Sequence, residues 1–299
     1  MKLFAPAYYK NFACIADKCR HSCCIGWEID VDRDTLALYD DLEGDYAQAI
    51  LASIDRTDVP HFSLAAHDRC PHLDEHGLCR IIKVFGHDAL CEICREHPRF
   101  YHITPHGTEV GLGLSCEEAC RVVLNSDNYA EMIEVEALDG TPDPDAFDAV
   151  SVRAQIYALL SDRATPYAAR LQALQAQLAP ALTVPNDDAF RALLASMEYL
   201  DDAHRTLFAT YSADLTTPPE AQILLERALA YFIFRHASDA CDRDDLLSRL
   251  GFALFLERLL CSMIRAGHDP YDAARILSEE IEYSEENTQT ILSVFEEAL

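Results

Sequence analysis

Lysine and long apolar runs are scarce in this chain of 299 residues. Four lysines stand against twenty arginines, and 51 acidic residues give a formal net charge of −27. Binding to nucleic-acid phosphates requires a surface rich in lysine and arginine, so the composition predicts no nucleic-acid partner. No stretch reaches the ~20 uncharged apolar residues of a membrane helix, which predicts no membrane partner. An acidic surface favours basic partners instead, including proteins that present lysine.

A secretion signal is also missing from the amino terminus. The first ten residues, MKLFAPAYYK, contain an early lysine but neither an apolar core nor a cleavage site. The sequence therefore predicts a cytoplasmic protein, in a compartment where disulfides are rare. Half of the residues are hydrophobic, so we expect a globular chain that can bury a core without cross-links.

Cysteine, in contrast, is abundant and unevenly distributed. Ten of the twelve cysteines lie between Cys14 and Cys120. Thiols at this density either pair as disulfides or hold metal, and the expected compartment and the chain length favour metal. Cys241 and Cys261 lie outside this group, and we expect both to be small buried apolar residues.

The spacing of the thiols leaves the kind of metal centre open. Close pairs of the type found in structural zinc sites are Cys19/Cys23, Cys91/Cys94 and Cys116/Cys120. The remaining intervals are uneven, which suits a [4Fe–4S] cluster, because it also takes four thiolates and spans more space than one zinc ion. Cys23 and Cys24 are adjacent, and neighbouring side chains of an extended segment point to opposite faces. They are expected to serve different centres, or one to bind metal while the other packs.

The sequence predicts a mainly α fold, in which an irregular Cys-rich metal-binding N-terminal region packs on a C-terminal helical bundle. The expected divisions are a metal- or cluster-binding region over 1–125, a linker over 126–150 and a helical region over 151–299. Apolar residues at helical spacing predict helices over 219–236, 244–267, 270–280 and 284–298, and a helix carrying Phe190, Leu193, Leu194 and Met197.

Local signals add detail to this outline. Asp32 and Ser284 are expected to cap the helices that follow them. Residues 108–115 are expected to be extended. The Gly111-Leu-Gly113 segment lacks the third glycine of a dinucleotide-binding fingerprint. Pro, Gly and Asp make 139–148 a turn-rich linker.

Several segments of the first 120 residues resemble the flagellin lysine-N-methylases, in the same order. They include Tyr9–Cys14, Cys23–Asp32 with its Cys-Cys-Ile-Gly-Trp, and Cys70–Ile81 with Cys-Pro-His-Leu. Gly86, Pro98-Arg99 and Leu114-Ser-Cys116 follow. The segment from 153 to 178 resembles the family more loosely, and Glu117 departs from it, because the family tends to have proline there.

The resemblance implies a cytoplasmic enzyme that methylates lysine side chains of flagellin or a similar protein. It implies S-adenosylmethionine as the methyl donor and a [4Fe–4S] cluster. Eight thiols match the family and are the metal ligands that the resemblance implies: Cys14, Cys19, Cys23, Cys24, Cys70, Cys79, Cys94 and Cys116. Cys91 and Cys120 are additions in this chain. A broader group of zinc- or iron-chelating proteins has a similar thiol pattern, so a non-enzymatic metal-binding or redox protein with a structural zinc or iron site is the alternative.

Overall fold

A computed structural model describes residues 2–137, 145–178, 186–213 and 216–299 of the chain. In chain order its strands are β1 (Lys2–Pro6), β2 (Ile29–Asp30), β3 (Ile54–Asp55), β4 (His61–Phe62), β5 (Arg99–Thr104), β6 (Gly107–Leu112) and β7 (Met132–Ala137). Its first helices are α1 (Arg33–Asp41), α2 (Asp45–Ala52), α3 (Arg80–Phe85), α4 (Glu92–Glu96), α5 (Glu117–Leu124), α6 (Ala149–Leu160) and α7 (Tyr167–Leu178). The later helices are α8 (Asp187–Ser196), α9 (Arg205–Phe208), α10 (Gln222–Ala237), α11 (Arg243–Arg265), α12 (Pro270–Leu277) and α13 (Glu285–Glu296).

These elements form two compact units. The larger unit consists of Met1–Phe12 and Arg99–Leu299, and the smaller unit is Ala13–Pro98. Most of the described residues with regular structure are helical, so the predicted mainly α fold is confirmed. No helix among the described residues has both the length and the apolar character needed to cross a bilayer.

The larger unit contains a four-stranded sheet with the order β5-β6-β1-β7. Strand β1 runs parallel to β6, with Leu3 opposite Thr108, and antiparallel to β7. The sequence predicted only the extended segment at 108–115. The strand β6 lacks the alternation that identifies most strands, because all six of its residues are buried, including Thr108 and Glu109.

Helices α10 and α11 form the centre of this unit. Both are buried along most of their length, and α8 packs Phe190 against Phe255 of α11 with ring centroids 4.6 Å apart. The predicted helices over 219–236, 244–267 and 284–298 are confirmed within a few residues at each end, and Ser284 caps α13 by accepting a hydrogen bond from Asn287 N at 3.2 Å. Cys261 is fully buried in α11, as expected.

The helix predicted over 270–280 is also confirmed: it is α-helical over Pro270–Leu277 and continues as a π-helix over Ser278–Glu282, in which Tyr283 N donates to Ser278 O. One expectation for the larger unit is wrong. Cys241 is exposed, because it lies in the turn before α11, where its backbone N–H donates to Asp245. The predicted linker over 139–148 falls largely outside the described residues. Its last residue, Asp148, caps α6 by accepting from Ser151 N at 3.1 Å.

Glycine has a steric role on β6. A side chain at Gly111 would collide with the Phe100 ring of the neighbouring strand β5. A side chain at Gly113 would collide with the hydroxyl of Tyr283. Both positions therefore allow an aromatic ring to lie against the backbone, which gives the Gly-x-Gly segment a steric explanation.

Acidic side chains are buried in this unit together with arginine. Glu109 on β6 accepts two hydrogen bonds of 2.6 Å from Arg153 on α6, and Ser238 accepts a third from the same guanidinium. Glu226 on α10 accepts from Arg170 at 2.7 Å and from Arg163. A buried carboxylate without a partner would be costly, so each of these arginines compensates a charge that the fold has removed from water.

Replacing Arg153 by Met should lower the free energy of unfolding by about 3–5 kcal/mol, because Glu109 would remain buried without its partner. The double variant Arg153→Met with Glu109→Leu should recover most of this loss. Urea unfolding followed by circular dichroism measures both. The matched control is Lys2→Met, which removes an exposed pair with Glu134 and should cost less than about 1 kcal/mol. A double variant as unstable as the single variant would contradict this account.

Candidate metal centre

Five thiols of the smaller unit lie within electrostatic reach of one another. We call this set the thiol cluster: Cys24, Cys70, Cys79, Cys91 and Cys94. A thiolate charge at Cys24 acts on Cys70, Cys79 and Cys94, and a charge at Cys91 acts on Cys70, Cys79 and Cys94. All five pack in one apolar core with residues such as Ile29 and Phe62.

Short backbone ladders bring the first three thiols together. Cys70 N donates to Cys24 O at 2.8 Å, and Ile25 pairs with Arg69 in an isolated bridge. A second bridge joins Leu73 to Cys79 and closes the loop between Cys70 and Cys79. Cys79 precedes the first turn of α3, and the backbone N–H groups of Ile81 and Ile82 in that turn act to lower the pKa of its thiol.

One carboxylate and one hydroxyl hold the turn that carries Cys91 and Cys94. Asp32 caps α1 as predicted, by accepting from Thr35 N at 2.9 Å, and its other oxygen accepts from Glu92 N at 2.8 Å at the start of α4. Tyr39, buried in α1, donates its hydroxyl proton to Ala89 O at 2.8 Å. The backbone is thus anchored on both sides of Cys91.

Most members of the thiol cluster favour the protonated form. Burial raises the pKa of Cys70 to about 12 and also raises the pKa of Cys79. The hydrogen bond with Cys91, together with burial, raises the pKa of Cys94 far above its usual range. Two thiols differ: hydrogen bonding with Cys23 lowers the pKa of Cys24 to about 7, and hydrogen bonding with Cys94 lowers the pKa of Cys91.

The His72 ring is engaged by hydroxyl groups near the thiol cluster. The ring of His72 is buried, and its two nitrogens contact Tyr46 OH at 3.1 Å and Ser53 Oγ at 3.0 Å. Burial lowers the pKa of His72 to about 4, with Arg80 acting in the same direction, so the ring is neutral at physiological pH. Its hydrogen bonds identify His72 as a core residue.

Gly26 and Trp27 follow shortly after the adjacent cysteines Cys23 and Cys24 in the chain. Gly26 has φ of +96°, a conformation that favours glycine, and its α-carbon faces open space. The indole of Trp27 donates to Cys23 O at 2.8 Å and packs against the core of the smaller unit. Both residues therefore fix the path of the chain where it turns Cys24 inward.

The structure brings together four of the eight predicted ligands, namely Cys24, Cys70, Cys79 and Cys94. Cys23 is exposed and hydrogen-bonds to Cys24, Cys14 is exposed, and Cys19 is half-buried in the same N-terminal segment of the smaller unit. Cys116 belongs to the larger unit. The assignment of all eight as ligands stays a prediction.

Cys91 is a member of the thiol cluster that the family resemblance left out. A signal was present in the sequence, because Cys91 and Cys94 have the two-residue spacing of a metal-binding pair. The family resemblance selected only the thiols that match the family pattern, and Cys91 has no counterpart there. The fold supplies the missing information by placing the two sulfurs side by side.

The donor chemistry of the cluster suits zinc or iron–sulfur, since both take thiolates. Within the residues that the structure describes, no three Cys, His, Asp or Glu side chains are already arranged around a position for a metal ion. The thiols instead hydrogen-bond to one another or to nearby groups. Binding would require them to lose their protons and turn toward a common centre.

Comparison with known proteins identifies the family. The chain is 32% identical over 143 residues to proteins named lysine-N-methylase from Salmonella choleraesuis and Salmonella typhimurium. It is 33% identical over 127 residues to a protein named flagellar biosynthetic protein FliU from Salmonella muenchen, and this match covers 75% of that protein. The chain belongs to the lysine-N-methylase family.

The extent of these matches differs between the relatives. The two lysine-N-methylases are matched over 46% of this chain and 36% of their own length. The matched segment therefore spans about a third of the length of each of these relatives. No family model matches the chain, and no solved structure matches it.

Binding of zinc to the metal-free lysine-N-methylase homologue should release protons and should weaken as the pH falls from 8 to 6. The pKa values of Cys70, Cys79 and Cys94 are raised, so these thiols carry protons at neutral pH that a metal must displace. Calorimetric titrations in two buffers of different ionisation enthalpy count the protons released. An affinity that does not change with pH would contradict this picture of the cluster.

Replacing Asp32 by Ala should loosen both helices that it caps, at a cost of about 1–2 kcal/mol for each cap. Hydrogen exchange of the amides at the starts of α1 and α4 should accelerate together, since one carboxylate accepts from both. Asp34→Ala is the matched control, because Asp34 is an exposed acid in the first turn of α1. Faster exchange in α1 with no change in α4 would show that Asp32 does not hold the Cys91–Cys94 turn.

Proposed function

We propose that this protein is a lysine N-methyltransferase that acts on flagellin or a similar protein, uses S-adenosylmethionine as methyl donor and carries a [4Fe–4S] cluster on its thiols. The observation that carries the proposal is the convergence of five thiols, from three separate stretches of sequence, in a chain of the lysine-N-methylase family. The names of the relatives support a methylase with a flagellar protein substrate. The thiol cluster supports the metal group.

The cluster residues fit such a group in number and in chemistry. Four thiolates hold a [4Fe–4S] cluster, and Cys24, Cys70, Cys79 and Cys94 match the family in the thiol cluster. When bound, the cluster would supply electron transfer or a rigid centre for the fold. Arg69 lies close enough to Cys24 to lower the pKa of its thiol, and so favours negative charge at this position.

The protein's own residues would contribute to recognition of the substrate. Methyl transfer needs a neutral amine, whereas a free lysine has a pKa of about 10.4 and arrives as a cation. A chain with a net charge of −27 attracts such cations over long range, and the attraction falls as salt concentration rises. The methyl group is supplied by the sulfonium of S-adenosylmethionine when that donor is bound.

Anaerobic purification followed by a methylation assay tests the proposal. Iron and acid-labile sulfide should each be present at about four per chain. The loaded protein should bind S-adenosylmethionine in a calorimetric titration and add one CH2 per methyl group to lysines of flagellin from the same cell. Heat-inactivated protein and flagellin without donor are the controls.

Two outcomes would contradict the proposal in different ways. A colourless protein with stoichiometric zinc would replace the iron–sulfur cluster by a structural zinc site. A loaded protein that neither binds the donor nor methylates flagellin would support a non-enzymatic metal-binding or redox protein. This second function is favoured by the observation that the match covers only about a third of the curated lysine-N-methylases.

A further inference from the structure

The sulfur of Cys91 is enclosed within the smaller unit. The residue is 1% exposed, which makes it the most buried member of the thiol cluster. Its thiol hydrogen-bonds to Cys94, and its charge reaches Cys70 and Cys79. Cys91 also packs in the same apolar core as four other thiols, Cys24, Cys70, Cys79 and Cys94.

An ordinary buried cysteine in the same chain looks different. Cys261 is also fully buried, but the groups that shift its pKa, besides burial itself, are Arg258, Glu257, Thr217 and Arg265, and no thiol is among them. Cys120 is buried as well and donates its S–H to Tyr271 O at 3.5 Å, and one thiol, Cys116, acts on it. Burial therefore does not by itself place a thiol beside several other thiols, and the position of Cys91 needs a further reason.

The position of Cys91 is also fixed before any metal binds. Asp32 holds the amide of Glu92, Tyr39 holds the carbonyl of Ala89, and Arg95 N donates to Cys91 O at 2.9 Å. The Tyr39 hydroxyl lies 3.7 Å from Cys91 Sγ. Hydrogen-bonding groups behind a ligand orient it and tune the bound metal, and Tyr39 occupies such a place.

We infer that Cys91 is a metal ligand of the thiol cluster, paired with Cys94, although it is an addition to the thiols that match the family. The inference rests on the metal-binding role proposed above. Four thiolates complete either a zinc or a [4Fe–4S] centre, and the cluster offers five. Cys91 is one of the four, and one of the other thiols is surplus.

Metal content of variants gives the first test. Cys91→Ser, Cys94→Ser and the control Cys261→Ser are reconstituted anaerobically with iron and sulfide, and iron and acid-labile sulfide are measured with the electronic spectrum. Cys91→Ser should lose more than half of the iron, as Cys94→Ser should, whereas Cys261→Ser should keep the wild-type content. Wild-type iron and an unchanged spectrum in Cys91→Ser, with loss in Cys94→Ser, would overturn the inference.

A measurement on the wild-type protein covers the case in which Cys91→Ser fails to fold. The metal-free protein is loaded with cadmium-113, which takes thiolate ligands as zinc does, and couplings from the metal to cysteine Hβ protons are recorded by NMR. A coupling to Cys91 Hβ is expected. Couplings to four other cysteines and none to Cys91 would overturn the inference.

The same experiments separate this inference from the proposed function. Cadmium bound through Cys91 in a protein that transfers no methyl group would support Cys91 as a metal ligand and refute the proposed methyltransferase function. A wild-type protein that takes up neither iron, zinc nor cadmium would refute both the metal role and the ligand. Methyl transfer by a protein whose metal is not bound by Cys91 would refute the role of Cys91 as a ligand and would leave the proposed methyltransferase function standing.

Discussion

The carboxylate of Asp32 organises the smaller unit around its thiols. One oxygen begins α1 and the other begins α4, so two helices separated by fifty residues of sequence start from a single side chain. Because α1 carries Tyr39 and α4 carries Cys94, this link places the hydroxyl of Tyr39 beside Cys91. Strands β2, β4 and β3 form one small sheet, but strands of two residues are too short to supply such order by themselves.

A second constraint acts in the larger unit, where acidic residues are buried in spite of their cost. Glu109, Glu226 and Glu282 are each matched by arginine or histidine from another part of the unit. The planar guanidinium can bind both oxygens of a carboxylate at once, as Arg153 does with Glu109. The preference of this chain for arginine over lysine therefore has a structural use in the core.

Much of the helical part could be predicted, because amphipathic helices carry their signal within a few turns of sequence. The stripe of Phe190, Leu194 and Met197 is buried, and Ser284 and Asp32 cap the helices that follow them. The sheet could not be predicted in the same way. Strand β1 pairs with β6 across a hundred residues, and β6 carries buried polar residues whose partners lie on helices far along the chain.

The sequence by itself determined the density of thiols, the acidic charge, the helical periodicity and the resemblance to the lysine-N-methylases, all of which depend on local pattern or on composition. Only the tertiary structure decided which thiols meet. Cys91 joins Cys24, Cys70, Cys79 and Cys94 because backbone bridges and the double cap by Asp32 bring separate turns together. Cys241 is exposed and Cys261 buried for the same reason: burial depends on which element of the fold carries the residue, and spacing along the chain does not encode it.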